Sequence, residues 1–185
     1  NRQPTALILC FLLLTAGAVT ETLATDETVR GVLESYVAMP DDSFRWERRH
    51  MGKILASDYM ELKLVSQTWR DVPWKHQLFV LKPSTVEQET KHALLFVAGG
   101  RWKAEMDEEG FRQQLPNEAV LIATIAEQLR TPIAVLLHVP YQPLFDGKVE
   151  DEIIAYTFDR FIQTGDVGWP LLLPMVKATV QAMNV

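Results

Sequence analysis

The sequence contains almost no cysteine. Its single cysteine, Cys10, lies in an apolar run near the N-terminus. A chain with one thiol cannot form an internal disulfide or a cysteine-rich metal site. The four histidines also lack the H-x-H or H-E-x-x-H spacing of metal ligands, so we expect no metal site. A chain of 185 residues is long enough to be stabilised by its own hydrophobic core.

Serine is missing from the second half of the chain, and the last serine in the sequence is Ser84. An esterase nucleophile normally lies in a G-x-S-x-G elbow after a strand, and no serine here has those glycines. We therefore expect no catalytic nucleophile of that type within these residues. The glycine patterns of nucleotide sites are also missing, since Gly99 and Gly100 are followed by R-W-K-A and no Gly-Lys-Ser/Thr occurs. No cofactor is expected.

Clustered positive charge is scarce as well. The formal net charge is −6 and the pI is about 5.2, which argues against nucleic acid as the main partner. The nearest basic cluster is Arg45, Arg48, Arg49 and Lys53, which we interpret as a solvated strand face or turn.

The N-terminal residues 1–20 resemble a secretory signal peptide. They carry one charge, Arg2, then the run ALILCFLLLTAGAV with small residues at its end. The run is too short to span a bilayer comfortably, so we expect no stable membrane span after cleavage. The alternative is a buried N-terminal helix. We predict a secreted or periplasmic protein, a linker over 21–30 and one domain over 31–185.

The order of sequence patterns predicts an α/β fold. A helical pattern ends at Pro40, and three alternating segments then predict an antiparallel meander. The continuous apolar run HALLFVAGG predicts a strand buried on both faces. A helix with Asn117 as its N-cap and a second apolar strand, TPIAVLLHVP, complete a βαβ unit. Two amphipathic helices follow, the first closed by Gly165.

The loop Gly99-Gly100-Arg101 follows the first strand of that βαβ unit. It therefore points at the carboxyl edge of the sheet, where α/β proteins bind ligands and where α/β-hydrolases place an oxyanion-hole N–H. The alternative is an ordinary turn. The turn 140–143 should lie on the same edge, so the two loops are expected to border a cleft. We interpret His138 as a satisfied polar residue at a strand end, and the acidic run after Trp102 as a solvated loop.

Several segments resemble the family of PhoPQ-activated pathogenicity-related proteins. They are LKLVSQTWR, W-x-H-x-L, ALLFVAGG, VPYQPL and, most closely, EDEIIAYTFDRFIQTGDVGWPLLLPMVKATVQAM. The resemblance implies an α/β-hydrolase-like fold longer than this chain, with the serine elbow just beyond Val185 and its acid and histidine partners further on. The chain would be the incomplete N-terminal half of that sheet. Arg101 stands where the family often has a small residue.

Two functions follow from the resemblance. In the first, the full-length protein is a secreted serine hydrolase acting on an ester or amide of a small molecule or peptide. Gly99, Gly100 and Arg101 then supply the oxyanion hole, and Trp102 and Tyr141 line the acyl pocket. In the second, it is a non-catalytic secreted signalling protein on a hydrolase scaffold, like the family's repressor of cell proliferation. A third reading is a fragment that does not fold alone.

Overall fold

A computed structural model describes residues 26–87, 89–112 and 114–185. Its helices and strands, in chain order, are α1 (Asp26–Ala38), β1 (Arg45–Ile54), β2 (Ser57–Trp69), β3 (Val72–Lys82), β4 (Leu94–Val97), α2 (Glu118–Leu129), β5 (Ile133–Leu136), α3 (Asp151–Thr164) and α4 (Leu172–Met183). A single turn of 3-10 helix, Ala104–Asp107, lies between β4 and α2.

The five strands form one mixed sheet in the order β1-β2-β3-β5-β4. The first three form an antiparallel meander, and β5 also pairs antiparallel with β3. Only β4 and β5 are parallel, with Leu94 opposite Ile133 and Val97 opposite Leu136. The meander, the βαβ unit and the α/β class predicted from the sequence are thus confirmed.

One face of the sheet is covered by α4, which packs on β2 and against α1. The alternation along β2 and β3 directs leucines to this face, as a period of two requires. Burying a leucine side chain contributes about 2 kcal/mol. The fully or almost fully buried members of this core are Leu62, Leu64, Leu78, Leu136 and Val139.

The opposite face is divided between an apolar and a polar half. At one end Tyr59, Phe79 and Leu81 pack under Ala123 of α2. Two residues back along β3 the same face carries Gln77 and then Lys75, which are polar. The segment Arg101–Asp107, which we call the strap, covers this polar half.

The helix ends agree with the sequence in part. α3 ends at Gly165 in the left-handed conformation, as predicted. Asn117 is the N-cap residue of α2, as predicted, but its backbone is helical and its side chain makes no capping hydrogen bond. At the other end of α2, Arg130 adopts the left-handed conformation and its N–H bonds the carbonyls of Ala126 and Glu127.

Two further expectations need correction. The apolar run containing β4 predicted a strand buried on both faces, but β4 is at an edge of the sheet and Leu94, Phe96 and Val97 are 38–44% exposed. Continuous apolar sequence does not distinguish these two positions. The described part of α1 spans Asp26–Ala38, so residues 26–30 of the expected linker 21–30 lie in a helix.

The predicted signal peptide 1–20, Cys10 and residues 21–25 lie outside the described residues. In the described part of the chain, no helix combines the length and the apolar character needed to cross a bilayer.

Candidate functional site

Two loops meet at the carboxyl ends of β4 and β5, as the parallel pairing requires. The N–H of His138 donates to the carbonyl oxygen of Gly99 at 3.3 Å, and the N–H of Trp102 donates to that of Gln142, also at 3.3 Å. The side-chain amide of Gln142 donates to the carbonyl of Gly100 at 3.1 Å. The structure therefore brings together the two loops that the sequence placed on one edge.

The carbonyls and the N–H groups of the loop are used differently. The carbonyls of Gly99 and Gly100 both accept hydrogen bonds from the neighbouring loop. Within the described residues, the N–H groups of Gly99, Gly100 and Arg101 donate to no partner. Gly99 and Arg101 are exposed and Gly100 is partly buried. The loop is thus fixed through its acceptors, while three successive donors have no partner among the described residues.

Gly100 is required by the geometry of the loop. Its φ of 135° is a conformation that residues with a side chain rarely adopt. A Cβ built at this position would lie 2.8 Å from Nδ1 of His138. At Gly99, by contrast, a Cβ would meet no atom within 4 Å. An ordinary turn would explain the φ of Gly100 but not the close approach of a histidine.

The backbone of His138 is left-handed, with a φ of 65°, and its side chain is 5% exposed. Neighbouring residues of β3 hold it from the two faces of the sheet. Nδ1 of His76 lies 3.0 Å from the His138 carbonyl oxygen, and Oε1 of Gln77 lies 3.0 Å from its Nε2. Because a carbonyl only accepts, Nδ1 of His76 carries a proton. Its Nε2 then accepts from the Ser66 hydroxyl at 2.9 Å.

The tautomer of His138 follows from the next residue in the network. Nε2 of Gln77 donates to Oε1 of Glu61 at 2.9 Å, so the amide oxygen of Gln77 faces His138. Nε2 of His138 therefore carries the proton, and Nδ1 is a bare acceptor. Nδ1 is buried and has no hydrogen-bond partner among the described residues. The interpretation of His138 as a satisfied polar residue is thus wrong for one of its two nitrogens.

Burial lowers the pKa of His138, and the backbone of Gly100 offsets part of that shift. The ring is therefore neutral at pH 7. Burial also lowers the pKa of His76 to about 3, despite the hydrogen bond to the His138 backbone. Both rings act as neutral hydrogen-bonding groups rather than as cations.

Trp102 anchors the strap. Its indole is 7% exposed and makes a T-shaped contact with the His138 ring, with centroids 5.6 Å apart and planes at 82°. The indole N–H donates to Oδ2 of Asp107 at 3.2 Å. The ammonium groups of Lys63 and Lys75 lie 5.8 and 6.0 Å from its ring centroid. A role for Trp102 in lining an acyl pocket stays a prediction.

Asp107 fastens the other end of the strap to the sheet. Its two carboxylate oxygens accept from Lys63 and Lys75, each at 2.7 Å. Partial burial would raise the pKa of Asp107, but the hydrogen bonds from Lys63, Lys75 and Trp102 outweigh this effect and hold the pKa well below its usual range. Asp107 belongs to the acidic run expected as a solvated loop, and sequence alone did not single it out.

Arg49 adds a further contact to the strap, since its guanidinium donates to the carbonyl of Met106. Arg49 is a member of the basic cluster interpreted as a solvated strand face, yet its side chain is 10% exposed. Lys63 is also mostly covered, with 15% of its side chain exposed.

Tyr141 is half-buried beside the same loops. Its side chain packs against the apolar cluster that contains Trp74 and Leu144. Burial raises the pKa of its hydroxyl; the charge of Lys75 opposes this shift and that of Asp107 adds to it. Its role in lining a pocket also stays a prediction.

The structure gives roles to two residues that sequence reasoning had not singled out, Gln142 and Gln77, and it revises the interpretation of His138. His138 and Gln142 flank a predicted strand end, which was a usable signal. Gln77 gave none, because a glutamine in an alternating strand is ordinarily a solvated residue. Among the described residues, no group of three or more His, Cys, Asp or Glu side chains could hold a metal ion.

The molecule is thus an α/β protein. At the carboxyl edge of its parallel strands lies a loop whose backbone N–H groups have no partner among the described residues. The profile of the PhoPQ-activated pathogenicity-related protein family matches residues 33–185. The chain belongs to this family. It is similar to autocrine proliferation repressor protein A of Dictyostelium discoideum, with 30% identity over 168 residues. The match covers 82% of this chain and 31% of that protein, so the chain spans about a third of the length of its relative.

Proposed function

We propose that this chain is the N-terminal part of a secreted serine hydrolase that cleaves an ester or amide of a small molecule or peptide. In this proposal the N–H groups of Gly99, Gly100 and Arg101 bind the negative charge that develops on the carbonyl oxygen. The observation that carries the proposal is that these three donors have no partner among the described residues, whereas the adjoining carbonyls are bonded. Donors fixed in advance at a developing oxyanion contribute most to such catalysis.

The position of the loop supports the same reading. It follows the first parallel strand and precedes the crossover helix α2, which is where α/β-hydrolases supply an oxyanion-hole N–H. Arg101 is exposed, and its backbone N–H is the third of the three donors. The nucleophile would come from residues after Val185, in keeping with a relative about three times as long as the matched region.

The test is covalent labelling of the full-length protein with a fluorophosphonate. We expect one serine to be labelled, on the C-terminal side of residue 185, and heat-denatured protein to remain unlabelled. A protein that melts cooperatively but takes up no probe would rule out a serine hydrolase. Peptide mapping that places the label on Ser57 or Ser84 would overturn the assignment of the nucleophile.

Secretion is the second part of the proposal, and the pattern of residues 1–20 supports it. Cleavage after Ala18 or Thr20 is expected. N-terminal sequencing of protein recovered from the medium or periplasm tests this. Recovery of the intact N-terminus from the cytosol would contradict it.

A second candidate is a non-catalytic secreted signalling or interaction protein on the same scaffold. The name of the Dictyostelium relative, a repressor of proliferation, favours it. The two candidates predict different results when the labelled serine is replaced by alanine and the growth of cells exposed to the variant is measured. Unchanged repression would favour signalling, and lost repression by a folded variant would favour catalysis.

A further inference from the structure

The loop whose three N–H groups have no partner in the described part of the chain packs against the ring of His138. The ring of His138 lies directly against Gly100, at the place where a side chain of that residue would start. The ring also makes a T-shaped contact with the indole of Trp102, the first buried residue after the loop. A change in the position of this ring would therefore displace both ends of the segment Gly100–Trp102.

The ring itself is held from within the sheet. Its Nε2 bonds to Gln77, and Gln77 bonds in turn to Glu61, at 3.0 and 2.9 Å. All three side chains are at most 5% exposed. Buried hydrogen-bonded chains of this kind fix one arrangement, because breaking any link leaves a polar group without a partner.

The cost of this arrangement needs an explanation. His138 has a left-handed backbone and a buried Nδ1 without a partner in the described part of the chain. Both features are unfavourable by themselves. Such strain persists where the surrounding structure holds it in place, as the bonds from His76 and Gln77 do here.

We propose that His138 is a positioning residue, held by the buried Glu61–Gln77 pair, that sets the conformation of the Gly99–Arg101 loop and keeps its N–H groups turned toward substrate. The inference rests on the proposed hydrolase function for its catalytic consequence. The fixing of the loop is independent of that function. His138 is not a catalytic residue in this scheme, since it contacts the loop rather than the reacting atoms.

Two substitutions of His138 by side chains of similar length separate the effect of the hydrogen bond to Gln77 from the effect of side-chain volume. In His138→Gln, the amide nitrogen lies as many bonds from Cβ as Nε2 of histidine does, so it can still donate to Gln77. His138→Met has nearly the same length and shape as the glutamine variant but cannot donate. His50→Met, on β1 and outside this network, is the matched control.

The first measurement is the rate of fluorophosphonate labelling of the full-length protein. We expect His138→Met to label at least 10-fold more slowly than the wild type. His138→Gln should stay within about 3-fold, and His50→Met should be unchanged. Equal rates for His138→Met and the wild type, with both proteins folded, would overturn the inference and leave the proposed function standing.

The second measurement does not require catalysis. Hydrogen–deuterium exchange reports the amides of Trp102 and Val139, which donate to Gln142 and Ala98 across the two loops. We expect at least 10-fold faster exchange in His138→Met and near-native exchange in His138→Gln. This pattern in a protein that takes up no probe would support the positioning role and reject the hydrolase. Native exchange in both variants would reject positioning.

If His138→Met does not fold, Gln77→Met breaks the same link from β3 without touching the loop. The same faster exchange at Trp102 is then expected. Native exchange in that variant would show that the Glu61–Gln77 pair does not hold the ring.

Discussion

The position of Gly100 makes two structural demands that an amino acid with a side chain does not meet. It has a φ of 135°, and a Cβ at this position would lie 2.8 Å from Nδ1 of His138. We predict that Gly100→Ala lowers the free energy of unfolding by about 3 kcal/mol, from backbone strain together with overpacking. Gly99→Ala is the matched control, because a Cβ there meets nothing within 4 Å, and it should change stability by less than about 0.5 kcal/mol.

Urea unfolding followed by circular dichroism measures both variants. Equal stability of Gly100→Ala and Gly99→Ala would mean that the loop moves away from His138 without cost. Such mobility would contradict the description of the loop as fixed in advance.

His76 makes stability depend on pH. Its pKa is about 3 in the folded chain, against about 6.5 unfolded, so the unfolded state binds the extra proton. The stability that neutral His76 provides is complete above pH 6.5 and is lost as pH falls toward 3. Between pH 6.5 and about 4.5 we expect a loss on the order of 2–3 kcal/mol. His138, whose pKa is also lowered, adds to it.

The pH window identifies the responsible groups, because carboxylates such as Asp107 titrate only at lower pH. Unfolding measured at several pH values in His76→Gln should show a shallower slope between pH 6.5 and 4.5. An unchanged slope in that variant would assign the dependence to other groups.

At the scale of the elements, the strap is a short irregular segment held by charge rather than by apolar burial. Lys63 and Lys75 both bond Asp107, whose side chain is still 36% exposed. We predict that Asp107→Asn destabilises the protein by about 1 kcal/mol, a value reduced by this exposure. The difference from the wild type should shrink in about 1 M salt, since screening weakens exposed pairs.

Glu105→Gln is the control for the strap. Glu105 pairs with Lys103 at 3.6 Å, and more than half of each side chain is exposed, so its removal should have almost no effect. Unfolding curves at low and high salt compare the two variants. If Glu105→Gln costs as much as Asp107→Asn, the specific contacts to β2 and β3 do not hold the strap.

The elements differ in how far the sequence determined them. The meander and the βαβ unit were predictable because their periods of two and 3.6 are local signals, and Gly165 ended α3 as expected. Gln77 bonds His138, which lies 61 positions away in the sequence. Asp107 bonds Lys75 and Lys63, which lie 32 and 44 positions away. No pattern within one element encodes such pairs. Hence the Gly99–Arg101 loop was found from the sequence, whereas the side-chain bonds that hold it in place were not.

At the scale of the whole molecule, the two edges of the sheet have opposite character. The β1 edge carries Arg45, Glu47, Arg48, Arg49 and Lys53, and charge on an edge strand discourages pairing with other chains. The β4 edge is uncharged, and Leu94, Phe96 and Val97 are each more than a third exposed. The backbone groups on its outer side pair with no strand among the described residues. A surface of this kind needs a covering strand or it associates.

We therefore predict that the 185-residue chain self-associates through β4. Val97→Lys places a charge on that edge, where the valine side chain is 44% exposed and belongs to none of the core clusters. It should weaken association at least 10-fold in sedimentation velocity over a range of concentrations. Met51→Lys on β1, where the methionine is 58% exposed, is the control and should change association less than about 2-fold.

A wild-type chain that melts cooperatively and stays monomeric at high concentration would contradict the prediction. Equal weakening by both variants would mean that added charge, rather than the β4 edge, governs association.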